Sequence, residues 1–142
     1  MDKSGFDSLY SRALQKEERP TKPILCLDFD GVIHSYASGW QGADVVTDPP
    51  VPGAIQWLKL AILVFDVQIF SSRSNHEGGI EAMRGWLSKW EEKECDSGVL
   101  VSAVSFPKEK PPAHVTLDDR AITFTGRWPY LSDLVAFKPW YT

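Results

Sequence analysis

The chain has 142 residues, of which 43% are hydrophobic and 24% charged, a composition that indicates one globular domain and excludes a disordered chain. Its 15 basic and 19 acidic residues give a net charge of −4, which disfavours the wide basic footprint needed to bind extended duplex nucleic acid. The two cysteines, Cys26 and Cys95, are too few for a disulfide framework and favour a reducing compartment.

No segment has the pattern of a membrane or export element. The longest apolar run, residues 58–67, is interrupted by Lys59 and Asp66 and is shorter than a membrane span requires. The N-terminal residues lack the apolar core of a secretory signal. We therefore expect a cytoplasmic protein with no membrane partner.

The first elements in chain order are a polar segment, a strand and a loop. Residues 1–23 are polar, contain a candidate short helix at 7–18 and end near two prolines, so we interpret them as an N-terminal appendage. The continuous apolar run at 24–27 predicts a strand that is buried on both faces of a parallel sheet. Glycines and prolines predict a long loop or small hairpin at 34–50.

Helical and strand patterns alternate after this loop. Periodic apolar residues predict helices at 52–62 and 77–94, and a final helical turn or two at 130–136. The apolar runs that predict strands lie at 64–70, 99–104, 115–117 and 122–124. This alternation predicts an α/β fold with a mostly parallel central sheet.

Polar side chains gather at the carboxyl ends of three predicted strands. Asp28 and Asp30 follow the first strand, Ser71 follows the second, and the pair at 118–119 follows the strand at 115–117. Ligands bind at this edge of an open α/β sheet, so we expect these side chains to line one crevice.

Acids in this arrangement point to a metal and to phosphoryl chemistry. Asp28 and Asp30 lie close enough to repel each other, so a shared proton or a divalent cation must offset their charge. Oxygen ligands suit Mg²⁺ and not zinc. A carboxylate beside Mg²⁺ can attack phosphorus, and a second acid can protonate the leaving oxygen and then accept a proton from water. Ser71 and Lys110 are candidate phosphate donors.

The order of these motifs resembles the haloacid dehalogenase (HAD) superfamily of phosphohydrolases. The matching stretches are Asp-Phe-Asp-Gly-Val-Ile at 28–33, the strand ending at Ser71, Lys-Pro at 110–111, and Val-Thr-Leu-Asp-Asp at 115–119. The resemblance covers about residues 24–126. It implies a Rossmann-like three-layer sandwich, with residues 24–142 forming the hydrolase domain.

The resemblance also implies roles for individual acids. Asp28 would be the nucleophile and Asp30 the general acid/base. The Mg²⁺ ligands would be Asp28, the backbone carbonyl of Asp30, and Asp119, Asp118 or both.

The phosphate would be held by hydroxyl groups and a lysine. Ser71, with its neighbour Ser72, and Lys110 match the family positions. Lys108 is the alternative lysine, because it too precedes the last acidic pair.

The spacing of the motifs bears on the substrate. The intervals 31–70 and 74–109 leave no room for a cap domain, so we expect an open site. Tyr36 and Trp40 are candidates to stack on a base or sugar, or to anchor the loop. A phosphorylated small molecule or nucleotide is favoured over a long polyanion, with nucleic-acid end phosphates, sugar phosphates and phosphoproteins also open.

Several of these residues have ordinary structural interpretations. Ser71 could cap a loop or helix, and the pair at 118–119 could cap a helix N-terminus. His34 could hydrogen-bond its own loop, and Arg73 and Arg120 could form structural ion pairs.

Two other classes of function stay open. One is a receiver-type module phosphorylated on an Asp, which the order of the acidic motifs disfavours because its acceptor normally lies on a later strand than its acidic pair. The other is a non-catalytic binding protein on a HAD scaffold.

Overall fold

A parallel β-sheet positions the acidic motifs. The computed structural model describes residues 21–95 and 97–142. Within them, strand β1 (Ile24–Leu27) lies between β2 (Asp66–Ile69) and β3 (Val115–Leu117), and both pairings are parallel. The α/β class and the parallel sheet are therefore confirmed, and the arrangement is compatible with a Rossmann-like fold. The helix predicted at 7–18 lies outside the described residues.

The central strand is apolar because it is covered on both faces. Leu25, Cys26 and Leu27 are all buried, and the backbone of β1 pairs with both neighbours. A run without polar alternation is typical of such a doubly covered strand. The burial of Cys26 confirms its interpretation as a core thiol.

The described residues form four α-helices, of which the first three bury side chains in the core and the last has no buried residue. They are α1 (Ala54–Val64), α2 (Gly79–Glu94), α3 (Val99–Ala103) and α4 (Leu131–Val135), with a short 3-10 helix at Ser72–Asn75. The predicted helices at 52–62, 77–94 and 130–136 are thus confirmed with shifted ends, and the strand predicted from residue 64 begins only after α1 ends.

The buried faces of α1 and α2 meet β1 and β2. Ile55 and Leu58 of α1 and Met83 and Leu87 of α2 have at most 1% of their surface exposed. They belong to one apolar cluster with Phe29, which follows β1. This packing fixes the loop that carries the two acids of the first motif.

The strand predicted at 99–104 is wrong, because this segment forms α3. The Glu91 carboxylate is buried and accepts hydrogen bonds from Leu100 N (2.7 Å) and Val101 N (3.2 Å) at the helix N-terminus. A side chain from α2 therefore satisfies backbone donors that would otherwise favour a strand ladder. Sheet pairing resumes at Ser105, which bonds the backbone of Val67 and Ile69.

The strand predicted at 122–124 is also wrong. Residues 121–125 have no regular structure, and Ile122 and Phe124 are more than half exposed. In the described part of the chain β3 pairs only with β1, so this segment adds no strand to the free edge of β3.

None of the helices in residues 21–95 and 97–142 has the length and apolar character needed to cross a membrane.

Candidate active site

Three carboxylates from two strands meet at the carboxyl edge of the sheet. Leu27 pairs with Leu117, so the next residues along β1 and β3 leave the sheet side by side. Asp28 N donates to Leu117 O at 3.0 Å. As a result Asp28, Asp118 and Asp119 each offer an oxygen within 4.8 Å of the others. We call these three residues the acidic cluster.

The acidic cluster holds excess negative charge. Burial, followed by a hydrogen bond to Asp119, raises the pKa of Asp28 to about 8. Burial acts to raise the pKa of Asp119 as well, but hydrogen bonds from Asp28 and Tyr141 outweigh it and the pKa is lowered. The opposite directions of the two pKa shifts mean that, where no cation is bound, a proton favours Asp28 over Asp119. A cation bound here would replace that proton.

The donor set fits Mg²⁺. All three ligand atoms are carboxylate oxygens, and they lie close enough together to touch one ion. Within the described ranges, no other group of acids, histidines and cysteines gathers in this way. The site residues that fit are Asp28, Asp118 and Asp119.

Gly31 lets the first motif approach the acidic cluster. Its φ of +78° lies in the left-handed region, and a Cβ there would come within 2.5 Å of Asp119 Oδ2 and 2.6 Å of Tyr141 Cε1. Glycine is required on both counts.

The Asp30 side chain does not join the acidic cluster. Its Oδ1 accepts a 2.8 Å hydrogen bond from His34 Nδ1, and its Oδ2 accepts a 2.9 Å hydrogen bond from Arg73 Nε. The structural interpretation of Arg73 as an ion-pair residue is thus confirmed. His34 also bonds its own loop, since Asp48 N donates to Nε2 at 3.1 Å.

Two C-terminal residues bind the loop at Gly31 and the side chain of Asp119, which was not predicted from the sequence. Trp140 Nε1 donates to Gly31 O at 2.8 Å, and the Tyr141 hydroxyl donates to Asp119 Oδ2 at 2.7 Å. The only sequence signal is an adjacent pair of aromatic residues with polar groups. That signal does not specify which buried acceptors they reach.

Ser71 lies at the predicted sheet edge and acts as a cap. Phe70 N donates to Leu27 O, which holds the end of β2 beside β1. The Ser71 hydroxyl accepts a hydrogen bond from Arg73 N at 3.2 Å and caps the 3-10 helix, so its structural interpretation is confirmed. Among the described residues no acceptor is recorded for its O–H hydrogen, whereas Ser72 is exposed.

The two candidate lysines are both exposed. Burial raises the pKa of the Cys26 thiol and the charge of Lys110 acts to lower it, so Lys110 lies within electrostatic range of β1. Among the described residues neither lysine forms an ion pair with the acidic cluster, and their phosphate role stays a prediction. The next helix after the 118–119 pair begins only at Leu131, so the N-cap interpretation of this pair is wrong.

Two aromatic residues of the 34–50 loop lie near Asp30. Trp40 is half exposed, and its ring centroid is 4.9 Å from the Arg73 guanidinium carbon. Tyr36 has a φ of +60°, which is unfavourable for a side chain of this size. Burial is the largest cause that raises the pKa of the Tyr36 hydroxyl, and the negative charge of Asp30 is the second.

A broad open depression elsewhere is lined by side chains between Ile122 and Leu134. Neither Asp30 nor any member of the acidic cluster lines it, so it is separate from that cluster.

Comparison of this chain with protein-family models, with curated proteins and with solved structures gives no match.

Proposed function

We propose that the protein is a Mg²⁺-dependent phosphomonoester hydrolase with a HAD-like, capless fold. The observation that carries the proposal is the convergence of Asp28, Asp118 and Asp119 within 4.8 Å. The raised pKa of Asp28 adds support, because such crowding of carboxylates is unfavourable without a cation or a proton.

The proposed reaction has two steps. A carboxylate oxygen of Asp28 attacks phosphorus, the bond from phosphorus to the ester oxygen breaks, and Asp30 gives that oxygen a proton. Water then attacks the aspartyl-phosphate phosphorus and loses its proton to Asp30, which releases phosphate and restores Asp28. Bound Mg²⁺ would neutralise charge between the nucleophile and the phosphate.

The proposed substrate carries a flat group on its phosphate ester, such as a nucleotide or a nucleic-acid end. Trp40 is exposed and contacts Arg73, whose partner is Asp30. A base could stack on the free surface of Trp40 while the ester oxygen reaches Asp30.

A phosphatase screen tests the proposal. Wild type, Asp28→Asn and Asp66→Asn are assayed with Mg²⁺ on nucleotides, phosphorylated oligonucleotides and sugar phosphates. The asparagine side chain resembles the protonated carboxyl group of Asp28, so the fold should persist while kcat falls by about 10³-fold or more. Asp66 is an exposed acid at the opposite end of β2, and Asp66→Asn should retain full activity.

Four outcomes contradict the proposal. The first is retained turnover by Asp28→Asn, and the second is activity unaffected by EDTA. The third is a stable phosphoprotein after acetyl phosphate treatment, which would favour the receiver-type module. The fourth is absence of turnover on every substrate, which would favour a non-catalytic binding protein.

A further inference from the structure

The Asp30 carboxyl group is held at both oxygens by donors from different segments. His34 lies four residues further along the loop, whereas Arg73 belongs to the 3-10 helix after β2. The two bonds, at 2.8 and 2.9 Å, leave the carboxyl group one orientation. Each oxygen keeps a second lone-pair direction for a substrate or water.

The hydrogen bonds of His34 define its tautomer. Its Nε2 accepts the Asp48 backbone N–H, so this nitrogen carries no hydrogen. Its Nδ1 must therefore carry the hydrogen that is donated to Asp30. The ring is 1% exposed and stacks on Phe29 at a centroid distance of 5.2 Å, so it cannot turn away.

Arg73 is equally constrained. The residue has 0% exposed surface, and its guanidinium lies against Trp40. Its Nη1 donates to three carbonyl oxygens of the 34–50 loop, those of Gly42, Ala43 and Val45. Nε is thereby aimed at Asp30 by bonds that do not involve Asp30.

We propose that His34 and Arg73 are positioning residues that orient Asp30 for proton transfer to the leaving oxygen. This inference rests on the proposed function. A purely structural ion pair would need only one of the two donors, and a loop anchor would not need either to point at Asp30. The convergence of both on one carboxyl group at the sheet edge favours control of that group.

Substrates with different leaving groups separate positioning from fold support. The p-nitrophenolate ion leaves without a proton, whereas the alkoxide of an alkyl phosphate or a nucleoside 5′-phosphate requires one. The value of kcat/KM reports the first step only, up to release of the leaving group. Loss of Asp30 orientation should therefore lower kcat/KM for the alkyl ester and spare p-nitrophenyl phosphate.

The test uses a matched pair at residue 34. His34→Leu removes the donor, and we expect kcat/KM for the alkyl ester to fall by about 10²-fold, with the aryl ester changing by no more than about threefold. His34→Asn keeps a donor near the position of Nδ1 and should retain most of the activity on both esters. Arg73→Lys should show the same selective loss as His34→Leu.

Controls identify which idea has failed. Circular dichroism and thermal melting establish whether each variant is folded. If Arg73→Lys does not fold, the comparison of His34→Leu with His34→Asn tests the positioning role by itself. His114→Leu replaces an exposed histidine before β3 and should behave as wild type.

Equal loss on both esters, or no loss on either, overturns the positioning role and leaves the phosphatase proposal standing. A wild-type protein that hydrolyses neither these esters nor any substrate of the phosphatase screen overturns both.

Discussion

The Tyr141 hydroxyl donates a 2.7 Å hydrogen bond to Oδ2 of Asp119, which follows β3. The bond occupies one oxygen of a residue in the acidic cluster and sets the direction of the other. Partners of this kind orient metal-binding carboxylates and increase their affinity for the ion. The end of the chain is therefore part of the candidate site.

We expect Tyr141→Phe to weaken Mg²⁺ binding by about 10-fold or more, because the carboxyl group of Asp119 loses its orientation. Calorimetric titration with Mg²⁺ measures the affinity. Tyr130→Phe is the control, since Tyr130 is 80% exposed. Equal Mg²⁺ affinities for Tyr141→Phe and wild type would contradict a role of Tyr141 in orienting Asp119 for metal binding.

Gly31→Ala and Gly39→Ala separate backbone strain from steric contact. Both glycines have a φ in the left-handed region, +78° and +73°, so backbone strain alone should lower the free energy of unfolding by about 1 kcal/mol in each variant. A Cβ at residue 31 also collides with Asp119, whereas one at residue 39 meets nothing within 4 Å. Chemical denaturation measures the stability and Mg²⁺ titration the site.

Gly31→Ala alone should lose Mg²⁺ affinity. The interpretation fails if both variants bind Mg²⁺ as wild type does, or if both lose affinity alike.

Lys110→Ala and Lys108→Ala test which lysine would hold the phosphate in the proposed reaction. Removing one donor to a developing phosphoryl charge typically lowers the rate by about 10²-fold. We expect that loss for Lys110→Ala, and little change for Lys108→Ala. Steady-state kinetics on the best substrate of the screen provide the comparison. The reverse result would transfer the role to Lys108.

Glu91→Ala should destabilise the fold by about 1–3 kcal/mol, because backbone donors of α3 lose their buried acceptor. Glu92→Ala is a suitable control, since its side chain is exposed. Urea denaturation followed by circular dichroism gives both free energies of unfolding. Equal stability of the two variants would mean that Glu91 does not maintain α3.

The elements that the sequence predicts best are those that depend on a local apolar pattern and on parallel strand pairing. The strand at 24–27, the strand at 115–117 and the helix at 77–94 follow from apolar runs and periodicity, and the acids fall at the strand ends as expected. Asp28 and Asp119 are brought together by strand register alone.

The features that the sequence did not predict depend on interactions between distant segments. The segment 99–104 has the β-branched composition of a strand, but the carboxylate of Glu91 makes it a helix. Likewise, no periodicity indicates that Tyr141 reaches Asp119, or that Arg73 and His34 bind the same carboxyl group. These contacts depend on three-dimensional packing that the one-dimensional pattern does not contain.

The order of strands in the sheet has a consequence for biosynthesis. The middle strand, β1, is translated first, and its two neighbours follow about forty and ninety residues later. The carboxylates of Asp28 and Asp119 cannot meet on the ribosome until β3 has emerged, and Asp119 is not oriented until Tyr141 has followed. A nascent chain released before that point would carry Asp28 without the assembled acidic cluster.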